Sequence, residues 1–112
     1  MNTKRIRELN DLFRTGQRLD LGRIMITSGV RELVAAWPLG AMGVYAMVQR
    51  YDSFDRDNAP HNEHDCGSFD VAGVKCFWKL DYYDKTMEAG SEDPADPDKT
   101  CRVLTIMRAD EY

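Results

Sequence analysis

Apolar and polar residues alternate most cleanly between Asp65 and Leu80, where DCGSFDVAGVKCFWKL reads as two strands joined by a tight turn. Ala72-Gly73 supplies the turn, because glycine adopts the positive φ that two-residue hairpin loops demand. With those residues as the loop, Val71 faces Val74, Asp70 faces Lys75, Phe69 faces Cys76 and Gly67 faces Trp78. One side of the ribbon then carries Phe69, Val71, Val74, Cys76, Trp78 and Leu80. The other carries Cys66, Ser68, Asp70, Lys75, Lys79 and Asp81, with Phe77 its one large apolar residue. Asp70 opposite Lys75 predicts a cross-strand ion pair.

Upstream the period becomes helical. Ile6, Leu9, Leu12 and Phe13 share a stripe that predicts a helix over 4–15, capped by Thr3 and stopped by Gly16. Arg18 to Asp20 reads as linker and Gly22 to Thr27 as a short strand. Ser28 caps a helical turn from Val30 to Trp37, which breaks at Pro38 for want of an amide donor. A further helix restarts with Pro38 in its first turn and runs to about Arg50, on the stripe Val44, Met47, Val48 and Tyr51. Gly40 and Gly43 cost that helix about 1 kcal/mol each relative to Ala, and their spacing of three predicts close packing on the sheet.

Asp52 to Asp65 and Lys85 to Thr100 are polar loops, the second shaped by Asp93-Pro94 and Asp96-Pro97. Cys101 to Met107 is a last strand, apolar on both sides at Val103, Leu104, Ile106 and Met107, as an interior strand should be. The whole predicts one α+β domain over residues 1–112. Its sheet is small and mainly antiparallel, of about four strands with a central hairpin, and helices pack on one face.

Composition and the character of two segments sharpen this picture. A chain 43% hydrophobic and 30% charged folds around a core, which excludes a disordered tail. Three cysteines, Cys66, Cys76 and Cys101, form no even disulfide framework and no CxxC pair, so free thiols in a reducing cytoplasm are expected. Met1 to Arg23 is basic without an apolar core segment, so no secretory signal is read there. The uncharged run from Leu33 to Gln49 is too short for a membrane span and contains Pro38.

Charge is unevenly spread. Residues 1–31 hold seven Lys/Arg against three Asp/Glu, whereas residues 52–98 hold four against thirteen, a balance of −9. The acidic stretch is either a solvated surface or a binding face for something basic. Its candidate contact residues are Asp52, Asp55, Asp57, Glu63, Asp65, Asp81, Asp84, Glu92, Asp93 and Asp96. The densest group of potential metal ligands is His61, Glu63, His64 and Asp65, where imidazole and carboxylate suit a divalent ion or a general base. An H-x-x-H spacing in a loop without a second ligand pair is no zinc signature, and tying the hairpin entrance to backbone amides serves the same residues. Asp81 and Asp84 flank Tyr82-Tyr83, but a spacing of three on an extended chain sends the two carboxylates to opposite faces. No phosphate loop, dinucleotide fingerprint, metalloprotease helix or nucleophile elbow occurs in the sequence.

Several stretches together resemble one family. They are Arg5 to Phe13, Ile26 to Val30, Asp57-Asn58 with Pro60, Glu63 to Asp65 with Gly67, Phe77 to Asp84, Gly90-Ser91 with Asp93 to Pro97, and Arg102 to Met107 with Glu111-Tyr112. The family is the bacterial domain-of-unknown-function family numbered three thousand seven hundred sixty-eight, common in alphaproteobacterial genomes and plasmids. Cys66 stands where that family's pattern has an aromatic residue. The resemblance implies a cytoplasmic protein, frequently of mobile-element origin, and carries over no catalytic residues and no cofactor.

Three functions are open to such a chain. The first is a non-enzymatic protein-binding factor of phage or plasmid type. It would inhibit a host nucleic-acid-handling defence complex (anti-CRISPR or anti-restriction) by offering carboxylates to a basic channel. The second is a metal-dependent hydrolase or nuclease using Glu63, His64 and Asp65. The third, direct DNA binding by the basic first helix, is disfavoured by net acidity and by the lack of a helix-turn-helix pattern.

Overall fold

A computed structural model of the protein describes residues 2–54 and 62–112. The chain order is α1 (Thr3–Arg14), β1 (Gly22–Ile26), α2 (Ser28–Leu33), α3 (Gly40–Gln49), β2 (Cys66–Val71), β3 (Val74–Tyr83) and β4 (Cys101–Arg108). Short 3₁₀ turns occupy Leu19–Leu21 and Ala109–Glu111. The strands form one sheet in the order β1-β4-β3-β2, antiparallel except for the parallel pair of β1 and β4. This is the mainly antiparallel α+β architecture that the sequence pattern implies.

The hairpin adopts the register set by its turn, with Val71 opposite Val74, Phe69 opposite Cys76 and Gly67 opposite Trp78. Ala72 and Gly73 both take positive φ, 51° and 80°, the conformation whose twist matches that of the paired strands. Val71, Cys76, Trp78 and Leu80 are buried on the inner side, as the alternation demands. Asp70 and Lys75 are cross-strand neighbours but form no ion pair among the described residues. The Lys75 ammonium instead lies 5.5 Å from the centre of the Phe77 ring, whose face attracts it. Phe77 in turn meets Tyr112 edge to face at 5.9 Å, which gives the outward aromatic residue a partner.

Local chemistry shifts several element ends. Asn2, not Thr3, caps α1 by accepting the Arg5 amide at 3.0 Å, and Gly16 with φ 86° turns the chain out of the helix. Thr27, not Ser28, caps α2 by accepting the Val30 amide. The segment read as linker winds into the 3₁₀ turn at Leu19–Leu21, and α2 stops at Leu33, short of Trp37. α3 begins at Gly40, after Pro38, and buries Val44 and Val48 while Met47 stays 36% exposed. Its glycines do not meet the sheet. A Cβ on Gly43 would strike Leu39 and the Trp37 ring, and one on Gly40 would meet open space.

The close approach occurs at Gly67 instead. A Cβ there would lie 2.4 Å from the Tyr51 ring and 2.7 Å from Trp78 Nε1. The missing side chain admits Tyr51, whose ring meets Trp78 at 5.4 Å, and Phe54 closes the cluster at 5.1 Å from Tyr51. Ile6, Leu9 and Phe13 of α1 are buried, and Leu9 and Phe13 join Val30, Val44, Val48, Trp78, Leu104 and Ile106 in one core. β4 lies between β1 and β3 and buries residues of both faces, Val103 and Met107 as well as Leu104 and Ile106, as read from its run.

The three cysteines are free thiols. Among the described residues no helix is long and apolar enough to cross a membrane.

Replacing the fully buried Trp78 with Ala is expected to cost about 3–5 kcal/mol in chemical denaturation. Ala72→Asn should stabilise by about 1 kcal/mol in the same assay, because asparagine tolerates the left-handed region that strains alanine.

Candidate functional site: the acidic pole of the sheet

The end of the sheet formed by the last residues of β3 and the first of β4 is organised by a guanidinium with no exposed surface, that of Arg102. Arg102 alternates with Leu104 and Ile106, so the strand turns it toward the helices with those core residues. Its Nε donates to Asn10 Oδ1 at 2.6 Å and its Nη2 to the Pro94 carbonyl at 2.7 Å. Asn10, itself fully buried on α1, donates through Nδ2 to the Glu63 carbonyl at 2.9 Å and to the Tyr82 hydroxyl at 2.8 Å. The Tyr82 hydroxyl completes the circuit by donating to the Glu63 carboxylate at 2.8 Å. Five segments thus meet at one node: α1, β3, β4, the 62–65 loop and the 84–100 loop.

Charge at the node follows from burial. Desolvation pulls the Arg102 guanidinium below its usual value, opposed by Tyr82 and Glu63. Burial also pushes the Tyr82 phenol well above its ordinary range, and the Glu63 carboxylate holds its proton further. The guanidinium lies 5.3 Å from the Tyr82 ring centre. Its Nη1 has no hydrogen-bond partner among the described residues.

A second buried arginine supports the neighbouring corner. Arg14 Nη1 donates to the Val48 and Tyr51 carbonyls at 2.8 and 2.9 Å, at the end of α3, where carbonyls lack helical partners. Its guanidinium sits 5.2 Å from the Phe54 ring centre and 5.3 Å from that of Trp78. Desolvation lowers this group too, against the pull of Asp11. His64 Nδ1 lies 2.9 and 3.1 Å from the two Asp11 carboxylate oxygens, and its ring stacks flat on Phe54 at 3.8 Å.

The predicted acidic residues separate into groups. Glu63, Asp65, Asp84, Glu92, Asp93 and Asp96 sit on the two loops that the node ties to one end of the sheet. Those loops, 62–65 and 84–100, carry eight carboxylates (also Glu88 and Asp98) against Lys85 and Lys99. Asp84 spends one oxygen on the Thr86 hydroxyl and the Glu88 amide, bonds that hold it below the ordinary carboxylate range. Asp93 and Asp96 accept the Ala95 and Asp98 amides, so they shape the loop as well as charge it. Thr100, buried, donates to the Asp93 carbonyl at 2.8 Å and locks the loop's far end. Asp81 lies apart on β3, paired with Lys79 at 2.9 Å, and Asp52 follows α3 near Arg14.

Asp55, Asp57 and His61 lie outside the described residues. Of the metal candidates within them, Glu63 is engaged by Tyr82 and His64 by Asp11. Among the described residues no three His, Cys, Asp or Glu side chains gather as metal ligands. Asn10 and Arg102, which form the framework of the pole with Tyr82, were not singled out from the sequence; Tyr82 was read there only as lying between Asp81 and Asp84, and Arg14 belonged to the basic first helix rather than to a buried corner. The signal for Arg102 was its place in step with Leu104 and Ile106 in an otherwise apolar run.

Asn10→Ala should cost about 2–4 kcal/mol, since it strands Arg102 Nε and breaks the tie to Glu63. Asn10→Ala and Arg102→Met combined should cost clearly less than their sum in urea denaturation, because the two side chains share one network.

Residues 26–111 match the model of a family described as protein of unknown function (DUF3768). No curated protein and no solved structure matches the chain. The matched stretch holds the hairpin, both acidic loops and Arg102, while Arg5 to Phe13, one of the stretches that carried the resemblance, falls outside it together with Asn10 and Arg14 of α1. With well over half its length matched, the chain belongs to the DUF3768 family of proteins of unknown function.

Proposed function

We propose that the protein is a non-enzymatic binding factor of the cytoplasm that docks its acidic pole on a basic surface of a protein or nucleoprotein complex. The observation that carries this reading is the Arg102–Asn10–Tyr82 node, which ties two acid-rich loops to one end of the sheet. A solvated acidic stretch has no need of such anchoring, whereas a surface that replaces nucleic-acid phosphates must hold its charges in place. The partner class is a nucleic-acid-handling complex whose basic channel binds backbone charge. A phage or plasmid product that blocks a host CRISPR effector or restriction enzyme fits that chemistry.

The alternative, a divalent-metal hydrolase or nuclease built on Glu63, His64 and Asp65, draws on one observation. Asp11 orients His64 as carboxylates orient metal-bound imidazoles. A rise in Tm with Mn²⁺ or Mg²⁺, together with metal in protein purified without chelator, would favour it over the binding factor.

The direct test is affinity capture from a native host with the wild-type chain and with a charge-reversed pole, Glu88→Lys, Glu92→Lys and Asp98→Lys. Wild-type protein should recover a basic nucleic-acid-handling complex with an affinity that falls steeply as salt rises. The reversed variant should lose at least roughly tenfold in affinity with an unchanged melting temperature. Binding indifferent to both salt and reversal defeats the proposal.

A further inference from the structure

β1 is an edge strand whose three central residues, Arg23, Ile24 and Met25, are all exposed. Natural edge strands are usually blunted by proline, a bulge or several charges; β1 has only Arg23. Ile24 is 36% and Met25 57% exposed, one on each face of the sheet. The Thr27 amide donates to the Ile106 carbonyl, so in the parallel ladder the odd-numbered residues turn their backbone groups toward β4. Gly22, Ile24 and Ile26 therefore turn theirs outward, where no other strand pairs with them among the described residues.

We infer that this edge pairs with the same edge of a second copy, antiparallel about a two-fold axis at Ile24. In that register Ile24 exchanges both backbone hydrogen bonds with Ile24 of the partner copy, and Gly22 does so with Ile26. Every outward donor and acceptor of β1 is then used. Arg23 falls opposite Met25 of the partner copy rather than opposite another arginine, so no like charges meet across the seam.

Electrostatics selects the same arrangement. The acidic pole lies at the end of the sheet where β1 begins, because Gly22 is in register with Arg102. Antiparallel pairing places the two poles at opposite ends of a continuous eight-stranded sheet. A parallel pairing would set them side by side. Five residues of edge form a small interface, so the dimer is weak and concentration-dependent, and it leaves both poles open, whatever they bind.

Sedimentation equilibrium of the full chain over a wide concentration range tests this. Ile24→Pro removes only an outward amide and should keep the fold while abolishing the dimer. Met25→Glu sets two new ion pairs with Arg23 across the seam and should tighten association about two- to tenfold, whereas Met25→Lys should loosen it by a similar factor. A chain monomeric at every concentration overturns the inference. So does a dimer that folded Ile24→Pro leaves intact, or one that Met25→Glu and Met25→Lys shift in the same direction, as non-specific apolar association would.

Discussion

A guanidinium removed from water depends on hydrogen bonds inside the protein, and Arg102 finds them for Nε and Nη2, though not for Nη1 among the described residues, by drawing separate segments to the start of β4. Leaving any of these donors unmet costs more than a typical hydrogen bond contributes, so the segments that supply acceptors are strongly held. One acceptor comes directly from the Asn10 side chain and another from the Pro94 carbonyl. The Glu63 carbonyl joins at one remove, through Asn10. The position of both acidic loops is thus a consequence of one buried cation, and the negative pole is built around positive charge.

Arg14 applies the same rule at a different corner. It spends its donors on carbonyls at the end of α3, which the helix itself leaves without partners. Its flat face then rests between Phe54 and Trp78. The space for that aromatic cluster exists because Gly67, across the hairpin from Trp78, has no side chain to fill it. Hairpin register, glycine placement and the docking of α1 and α3 are therefore mutually dependent. A slip of one residue in β2 would put a side chain where Tyr51 now lies.

The two faces of the sheet divide the work. The inner face, with Trp78, Leu80, Leu104 and Ile106, is the apolar side on which the helices gather. The outer face is mixed, with the Lys79–Asp81 pair, Phe77 against Tyr112, and Val103 and Met107 buried beside them. That mixture explains how β4 reads as an interior strand while β3 alternates: β4 is flanked on both sides, and β3 keeps polar groups outward.

Elements that depend on near neighbours were legible in the order of residues alone. Alternation and Ala72-Gly73 marked the turn and the cross-strand pairing of the hairpin, because side-chain period and turn geometry are local properties of the chain. The stripe of α1, the break before α3 and the interior character of β4 were legible for the same reason. Competition among nearby groups moved the caps by one residue, to Asn2 and Thr27, since adjacent polar side chains can serve the same amides. Tertiary structure alone decided the parallel pairing of β1 with β4, the contact of Gly43 with Trp37, and the diversion of Lys75 from Asp70 to Phe77. It also decided the pole. Asn10 and Arg102 are 92 residues apart, and no local pattern records that a polar residue on a helix and a charged one on a strand will meet where water is excluded.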